Sequence, residues 1–254
     1  MLKKFALLIF ILGFSTGFAS AESIIICTDR ANWYPFTFRD KGHSAGIHVD
    51  IVTKALVTIG YQPVFTPLAW KKCLEKTGTG SYNALVSGSY KAKRAKSLIY
   101  PPDATTALKS KWRIMQVEYV LITPAANSYK YNGDVKTLPI PVRAPLGYSI
   151  VDDLRAKGLK VITNNTKRNL KSIDRMQKGC VITPPENAAR LIKALGLGDR
   201  LKIHPKPVKS KSYFMLFSKK ATKFDPPEIQ KIWDEIAKLR DDEQFMQQLF
   251  EKYD

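Results

Sequence analysis

The chain contains 254 residues, of which 44% are hydrophobic and 11% aromatic, and its 41 basic and 22 acidic side chains give a formal net charge of +19. A chain of this length and apolar content can bury one large core or two smaller ones, which excludes an intrinsically disordered protein. The positive charge favours anionic partners, but the lysines are spread along the whole chain without a run of five or more, so nucleic acid is not an expected partner.

The N-terminal segment has the pattern of a secretory signal peptide. MLKK supplies positive charge, FALLIFILGFSTGF an apolar run, and ASA the small residues before a cleavage point after Ala21. A membrane anchor, the alternative, needs roughly 20 apolar residues, and this run is shorter and interrupted by glycine and polar residues. We therefore expect residues 1–21 to be removed on export. Loss of Lys3 and Lys4 leaves 39 basic and 22 acidic residues, a net charge of +17.

The first part of the exported chain alternates short apolar strands with amphipathic helices. SIIICT, YQPVFTPLA and YNALVSG have the composition of strands, whereas IHVDIVTKALVTIG and the segment 70–76 have the pattern of helices. This order predicts a parallel sheet, and such sheets bind ligands at the carboxyl ends of their strands. The loop TDRANWYPFTF follows the first strand at that end.

The second part repeats the alternation. VEYVLIT, LPIPVRAP, LKVIT and CVIT are strand candidates, separated by helices in LGYSIVDDLRAKG, NLKSIDRMQKG and PENAARLIKALGLG. SYFMLFSKK predicts a returning strand, and two terminal helices carry apolar faces expected to dock on the first unit: Ile229, Ile232, Trp233, Ile236 and Leu239, then Phe245, Leu249 and Phe250. Because no flexible linker separates the units, we expect two lobes across a cleft, with residues 22–117 and 213–254 in the first and 118–212 in the second.

Three cysteines remain after export, and their spacing matches no metal site. An odd number leaves at least one thiol unpaired. The favoured interpretation is that Cys27 and Cys180 are buried small apolar residues, and the alternative is a single disulfide between Cys27 and Cys73.

The order of elements and five motifs resemble the extracytoplasmic solute-binding proteins of bacterial ABC importers, in the class that captures polar amino acids. The motifs are TDRANWYPFTF, GIHVDIVTKAL, YNALVSGSYKAKRA, PLGYS and DEQFMQQLFEKYD. The resemblance covers nearly the whole exported chain. It implies an α/β fold of the type II periplasmic-binding-protein kind, with two lobes that are each a mixed sheet flanked by helices and a ligand cleft between them.

The same resemblance implies a function. A periplasmic monomer would capture a small carboxylate-bearing solute, an amino acid or related organic acid, by hinge closure near residues 117–123 and 213–217. It would then deliver the solute to an ABC permease in the inner membrane. Neither a cofactor nor a metal ion is expected.

Arg94 falls where the family places the arginine that binds the ligand carboxylate. A guanidinium suits this task because its planar fork donates two parallel hydrogen bonds. The alternative is an exposed base on a helix surface. Lys91, Lys93 and Lys96 lack such a motif position and are expected to be solvated.

Further ligand contacts are implied by the resemblance. Ser87 and Gly88, with Tyr90 beside them, would meet the carboxylate or amine. Trp70 would form an aromatic wall, Trp33 or Tyr34 would cover the ligand, and Asp29 would pair with an ammonium group. Gly147, Tyr148 and Ser149 would receive carboxylate oxygens at a helix N-terminus. Core packing, turn formation and N-capping are the structural alternatives for these residue types.

One motif departs from the family pattern. In KGCVITPPENAA, Pro184 or Pro185 stands where many amino-acid binders carry an aspartate for the α-amino group, and Glu186 is the nearest carboxylate. Either Glu186 takes that role, or the ligand lacks a standard α-amino group and is an organic acid or another anionic metabolite.

The sequence does not favour an enzyme. Only His43, His48 and His204 are candidate bases at neutral pH, and no HExxH, GxSxG or GxxxxGK motif is present. The family fold also occurs in sensor kinases and peptidoglycan-cleaving enzymes, which a chain of one bilobal module does not suggest. A dehydratase acting on a cyclic carboxylic acid remains the alternative.

Overall fold

A computed structural model describes residues 21–221 and 223–253, so the predicted signal peptide lies outside the described residues except for Ala21. The strands are β1 (Glu22–Asp29), β2 (Phe38–Asp40), β3 (His43–Ala45), β4 (Tyr61–Leu68), β5 (Ala84–Ser89), β6 (Leu98–Ile99), β7 (Met115–Pro124), β8 (Val142–Pro145), β9 (Val161–Asn164), β10 (Cys180–Thr183), β11 (Leu201–Ile203) and β12 (Lys209–Ser218). The helices are α1 (Ile47–Thr58), α2 (Trp70–Gly78), α3 (Ala92–Ala95), α4 (Ser149–Ala156), α5 (Thr166–Met176), α6 (Pro185–Ala194), α7 (Pro226–Asp241) and α8 (Glu243–Tyr253), with a 3-10 turn at Val135–Thr137.

The first lobe is built on a mixed sheet. Strand β1 lies between β4 and β5 and pairs parallel with both, as the strand and helix order predicts. The sheet continues with β12, which pairs antiparallel with β5. Ile24 and Ile26 of β1 are fully buried together with Ile47 and Ile51 of α1, because the apolar stripe of the helix covers this sheet.

The second lobe has its own mixed sheet and its own core. Strands β10, β8 and β9 are parallel neighbours, and β7 pairs antiparallel with β10 and β11. Tyr119, Leu121, Ile150 and Ile182 belong to one of its two buried clusters. The two-lobed α/β fold predicted from the sequence is confirmed.

Strands β7 and β12 connect the lobes. They pair with each other over Met115–Tyr119 and Lys209–Tyr213. Beyond this stretch β12 pairs with β5 of the first lobe, and β7 pairs with β10 and β11 of the second. The hinge segments predicted from the sequence, 117–123 and 213–217, lie within these two strands.

The C-terminal helices pack on the first lobe, as their apolar faces predict. Trp233 is buried, and its indole Nε1 donates to the backbone carbonyl of Met215 at 2.9 Å. One detail of the prediction is wrong: Phe250 is 42% exposed, whereas Met246 is buried. The register of α8 points Met246 and Leu249 towards the core and turns Phe250 away from it.

Cys27 and Cys73 form a disulfide, so the favoured interpretation of Cys27 as an unpaired thiol is wrong and the alternative is confirmed. The end of β1 lies against α2, which places the two Cα atoms 5.6 Å apart in a buried cluster with Leu85 and Phe214. Cys180 is buried and unpaired. None of the helices in the described part of the chain has the length and apolar character needed to cross a membrane.

Candidate functional site

A cavity lies between the lobes, at the carboxyl ends of β1 and β5 and at the start of α4. Eleven residues line it: Asp29, Trp33, Thr37, Trp70, Val86, Ser87, Ser89, Arg94, Tyr148, Ser149 and Tyr213. Tyr148 and Ser149 come from the second lobe. The volume of this cavity is only about 30 Å³, room for one or two water molecules. The cleft is therefore closed in this structure, and a solute can enter only when the lobes separate.

Arg94 lies at the centre of this interface and is only 7% exposed. Its Nη1 donates to the carbonyl of Ser89 at 2.9 Å, and its Nη2 donates to the carbonyl of Gly147 at 3.0 Å. The guanidinium carbon lies 5.2 Å from the centre of the Trp70 ring. The alternative of an exposed base is thus wrong, because the short helix α3 turns Arg94 inwards after β5 ends.

The charge of Arg94 has no carboxylate partner among the described residues. Its Nε is buried and donates to no acceptor there. A buried cation without an anion costs free energy, and the bonds to backbone carbonyls offset that cost only in part. The site is therefore suited to an anionic group that approaches Arg94 from the cleft.

Four aromatic rings line the cavity. Trp33 packs 5.2 Å from Tyr213 and 6.3 Å from Tyr148, measured between ring centres, while Trp70 lies under Arg94. Because the rings exclude water, they strengthen the polar contacts in the site.

Gly46 explains how the loop that carries Trp33 is held. Its φ of 117° is accessible to glycine, and a Cβ atom there would lie 2.5 Å from the carbonyl oxygen of Phe36. The loop therefore lies directly on the first turn of α1, where the amide of Ile47 donates to the carbonyl of Pro35 at 2.9 Å. This close packing fixes the position of the Trp33 ring over the cavity.

Hydroxyl groups meet across the cleft. Ser89 Oγ of the first lobe lies 2.7 Å from Ser149 Oγ of the second, and Lys211 Nζ donates to Ser149 Oγ at 2.9 Å. Lys211 also forms an ion pair with Asp153, and Lys91 Nζ lies 2.6 Å from Asp152 Oδ2. The contacts of Ser89 with Ser149 and of Lys91 with Asp152 join the two lobes, while Lys211 fixes the start of α4 against the crossing strand β12.

Two polar groups in the cavity are poorly satisfied. Ser87 Oγ is buried and has no hydrogen-bond partner in the described structure. Asp29 is the carboxylate among the lining residues, and burial raises its pKa to about 6, against a hydrogen bond from the amide of Ala31 and the charge of Arg30 that lower it. A polar ligand group could form the hydrogen bond that Ser87 Oγ lacks, and a ligand ammonium group would stabilise the ionised carboxylate of Asp29.

Seven of the twelve residues implied by the resemblance line the cavity: Asp29, Trp33, Trp70, Ser87, Arg94, Tyr148 and Ser149. Gly147 contributes its carbonyl, which accepts from Arg94 and, at 3.4 Å, from Trp70 Nε1. Gly88 has a packing role, because a Cβ atom there would lie 3.1 Å from Leu216 Cδ1.

Three of the implied residues lie away from the cavity. The hydroxyl of Tyr34 donates to the backbone carbonyl of Tyr253, so of the two aromatic candidates in that loop only Trp33 lines the cavity. Tyr90 packs against Tyr100 with their ring centres 5.1 Å apart. Glu186 is exposed in the first turn of α6.

Sequence reasoning missed four lining residues: Thr37, Val86, Ser89 and Tyr213. Ser89 had a signal, because alternate residues of a strand share a face and Ser87 was already a candidate. Tyr213 had none, since only the crossing of β12 between the lobes brings it there. Among the described residues, no group of three or more histidine, cysteine or acidic side chains is placed to hold a metal ion.

The chain belongs to the bacterial extracellular solute-binding proteins, family 3, whose model matches residues 24–253. Solved structures share the two-lobed fold. A histidine kinase sensor domain with similarity to periplasmic binding proteins is 16% identical at a TM-score of 0.72, over 92% of this chain and 96% of that one. An ancestral arginine-binding protein bound to glutamine is 17% identical at 0.67, over 91% and 97%.

A third similar structure is an ancestral amino acid-binding protein, a precursor of cyclohexadienyl dehydratase. It is 18% identical at a TM-score of 0.66, over 91% of this chain and 94% of that one. No curated protein sequence matches this chain significantly.

Proposed function

We propose that this protein captures a small carboxylate-bearing solute in the periplasm and delivers it to an ABC permease of the inner membrane. The observation that carries the proposal is the buried guanidinium of Arg94, which has no carboxylate partner among the described residues. A ligand carboxylate would compensate its charge. Membership of the solute-binding family supports the same role.

Capture requires the lobes to open and close. The pairing of β7 with β12 is the connection about which they would rotate, and their flanking segments would absorb the change in backbone angles. The closed form presents surfaces of both lobes in one fixed arrangement, which a permease can distinguish from the open form. A single bilobal chain completes the cleft by itself, so the proposed protein acts as a monomer.

The ligand we favour carries an ammonium group as well as a carboxylate. Asp29 lines the cavity and would accept the ammonium group, while exposed Glu186 lies outside the lining. The rings of Trp33, Trp70 and Tyr213 would pack on the ligand's apolar part. An organic acid without an amine would bind Arg94 equally but would leave Asp29 to be buried as the neutral acid.

Asp29 also favours a second candidate, a dehydratase-like enzyme. A carboxyl group with a pKa of about 6 exchanges its proton near neutral pH, and it faces the cavity in which Arg94 would hold a cyclic carboxylic acid. Protonated Asp29 would donate its proton to a departing hydroxyl group, which leaves as water when the C–O bond breaks. The neighbouring carbon would lose a proton to the Asp29 carboxylate as the C=C bond forms, which restores the acid. The buried imidazole of His48 is a poor alternative acid, because burial lowers its pKa to about 3.

Calorimetry with a panel of small carboxylates, zwitterionic amino acids included, tests the binding proposal. We expect Arg94→Ala to lower the affinity for the tightest-binding ligand by at least about 100-fold, which corresponds to the loss of two charge-assisted hydrogen bonds. Lys93→Ala is the matched control, since Lys93 is an exposed base of the same helix and should leave the affinity unchanged. Equal affinity of wild type and Arg94→Ala for a carboxylate would refute the proposal.

Product analysis separates the two candidates. Wild-type protein that binds a cyclic hydroxy acid and returns it unchanged is a binder. Turnover that is lost in Asp29→Asn, with binding through Arg94 retained, would establish the enzyme.

A further inference from the structure

A second cavity lies on the second lobe, away from the cleft. It forms where the loop after β7 meets β11 and the loop that follows β11. Its volume is about 320 Å³, whereas that of the cleft is about 30 Å³. Its polar and aromatic lining consists of Tyr129, Lys130, Tyr131, Lys202, His204 and Lys206. A cavity of this size admits a small molecule or a lipid headgroup.

The base of this cavity is fixed by the sheet. Strand β11 pairs antiparallel with β7, which places Lys202 opposite Thr123. The amide of His204 donates to the carbonyl of Leu121 at 2.8 Å, and His204 Nε2 lies 3.0 Å from Thr123 Oγ1. His204 is only 6% exposed, so its ring forms part of the floor.

Three lysines concentrate positive charge here. Lys202 Nζ donates to the carbonyl of Asn127 at 3.2 Å, and Lys206 Nζ donates to that of Asn132 at 2.5 Å. An ammonium group has three N–H donors, so Lys202 and Lys206 each keep two donors for another acceptor. Gly133 leaves room for one of them, because a Cβ atom there would lie 2.9 Å from Lys206 Nζ.

Within the described part of the chain, no carboxylate pairs with these lysines and no acidic residue lines the cavity. Asp134 lies on the neighbouring loop, where its Oδ1 accepts from the amide of Lys136 at 2.9 Å and its charge acts on Tyr131, but it forms no ion pair with the three lysines. Burial and the nearby charge of Lys202 lower the pKa of His204, so its imidazole is neutral at physiological pH. The mutual repulsion of the lysines is therefore left for an external anion to compensate.

We propose that this pocket binds a phosphoryl group, carried either by a small soluble molecule or by a lipid headgroup. Lysine ammonium groups are compact point charges on flexible stems, which suits an oxyanion with several charged oxygens better than a planar carboxylate. A phosphate monoester carries about −1.5 to −2 charges at neutral pH and offers three acceptor oxygens, so it can engage two or three ammonium groups at once. The phosphodiester of a lipid headgroup carries about one charge, shared by two oxygens that can each accept from an ammonium group. The Tyr129 and Tyr131 rings provide apolar surface for the rest of the molecule.

Titration with inorganic pyrophosphate, and in a separate arm with vesicles of phosphatidylglycerol or phosphatidylcholine, tests this site. All titrations use the full exported chain with Arg94→Ala, so that the guanidinium in the cleft does not contribute. The test variant is Lys202→Gln/Lys206→Gln. The control is Lys171→Gln/Lys231→Gln, which removes the same charge from exposed positions on α5 and α7.

We expect the affinity for the anion to fall by at least about tenfold in the test variant and by less than about twofold in the control. Only the test variant removes charge-assisted hydrogen bonds to the anion. Binding of pyrophosphate assigns a soluble ligand, and binding only of phosphatidylglycerol vesicles assigns a headgroup. Equal loss in both variants, or no binding of either probe, overturns the proposal. If the test variant does not fold, exposed Lys130→Gln is compared with Lys171→Gln alone, and equal affinity then overturns it.

Discussion

The guanidinium of Arg94 and the backbone carbonyl of Gly147 meet across the cleft, with Nη2 donating to the oxygen at 3.0 Å. Trp70 Nε1 donates to the same oxygen at 3.4 Å. A single carbonyl of the second lobe thus holds two of the first-lobe side chains proposed to bind the ligand, Arg94 and Trp70. The geometry of closure depends on how closely Gly147 can approach them.

Replacement of Gly147 by alanine should therefore weaken ligand binding. The φ of Gly147 is 81°, and a Cβ atom would lie 3.2 Å from Trp70 Cδ1, so the methyl group would push the lobes apart. Gly158→Ala is a matched control, because Gly158 has a φ of 85° and a methyl group there would have no atom within 4 Å. Both variants should lose about 1 kcal/mol of unfolding free energy. Calorimetry should show reduced affinity only for Gly147→Ala, and equal affinity in both would contradict this account of closure.

Removal of the ion pair between Lys91 and Asp152 should shift the protein towards the open form. The pair joins the two lobes, but both side chains are partly exposed, so its contribution to closure is small. We therefore expect Lys91→Met to lower the ligand affinity by no more than about fivefold. Small-angle scattering of the ligand-free protein should show a larger radius of gyration. Lys238→Met removes a pair within helix α7 and should change neither measurement. A radius of gyration for Lys91→Met equal to or smaller than that of wild type would refute the role of this pair in closure.

Asp29 should make the stability of the ligand-free protein depend on pH. Its pKa of about 6 in the folded state lies above the ordinary 3.8, so the folded protein holds this proton more tightly than the unfolded chain. The contribution of Asp29 to stability should fall as the pH rises from about 4 to about 6 and stay low above that. Asp29→Asn should lack this fall and melt at a higher temperature than wild type above about pH 6. If the melting temperatures of wild type and Asp29→Asn changed with pH in the same way across this range, the raised pKa of Asp29 would be disproved.

The same carboxyl group should report the class of ligand. An ammonium group binds the ionised form of Asp29, so the affinity for a zwitterion should rise with pH through about 6, and binding should release a proton. An anionic ligand without an amine prefers the neutral acid, so its affinity should fall over that range. Calorimetry in buffers of different ionisation enthalpy measures the proton released or taken up. A pH-independent affinity for every ligand would exclude contact with Asp29.

The disulfide should stabilise the first lobe. Cys27 and Cys73 are 46 residues apart in sequence, and a loop of this length restricts the unfolded chain enough to contribute about 2–4 kcal/mol. Urea unfolding of Cys27→Ser/Cys73→Ser should show this loss. Thiol titration of the unfolded wild-type chain should find one reactive group before reduction and three after it. Three groups before reduction would contradict the bridge.

Periodic patterns predicted most of the elements. The apolar spacing in α1 and α7 and the short β-rich runs of β1 and β5 are local properties, so they can be read without knowing the fold. The hairpin of β2 and β3 was missed, because the sequence around it is polar and its strands are only three residues long. The start of β12 was also placed late, since its first residues are lysines and serines that pair at the crossing between the lobes.

The sequence by itself determined the two-lobed fold class and the position of Arg94, because both rest on residue order and on motifs along the chain. Only the tertiary structure decided which neighbours share the cleft. It placed Trp33 in the cavity and Tyr34 against the last helix, joined Cys27 to Cys73, and brought Tyr213 beside Trp33. The physical reason is that these contacts join residues far apart in the chain, and their geometry depends on how sheets and helices pack rather than on local sequence preference.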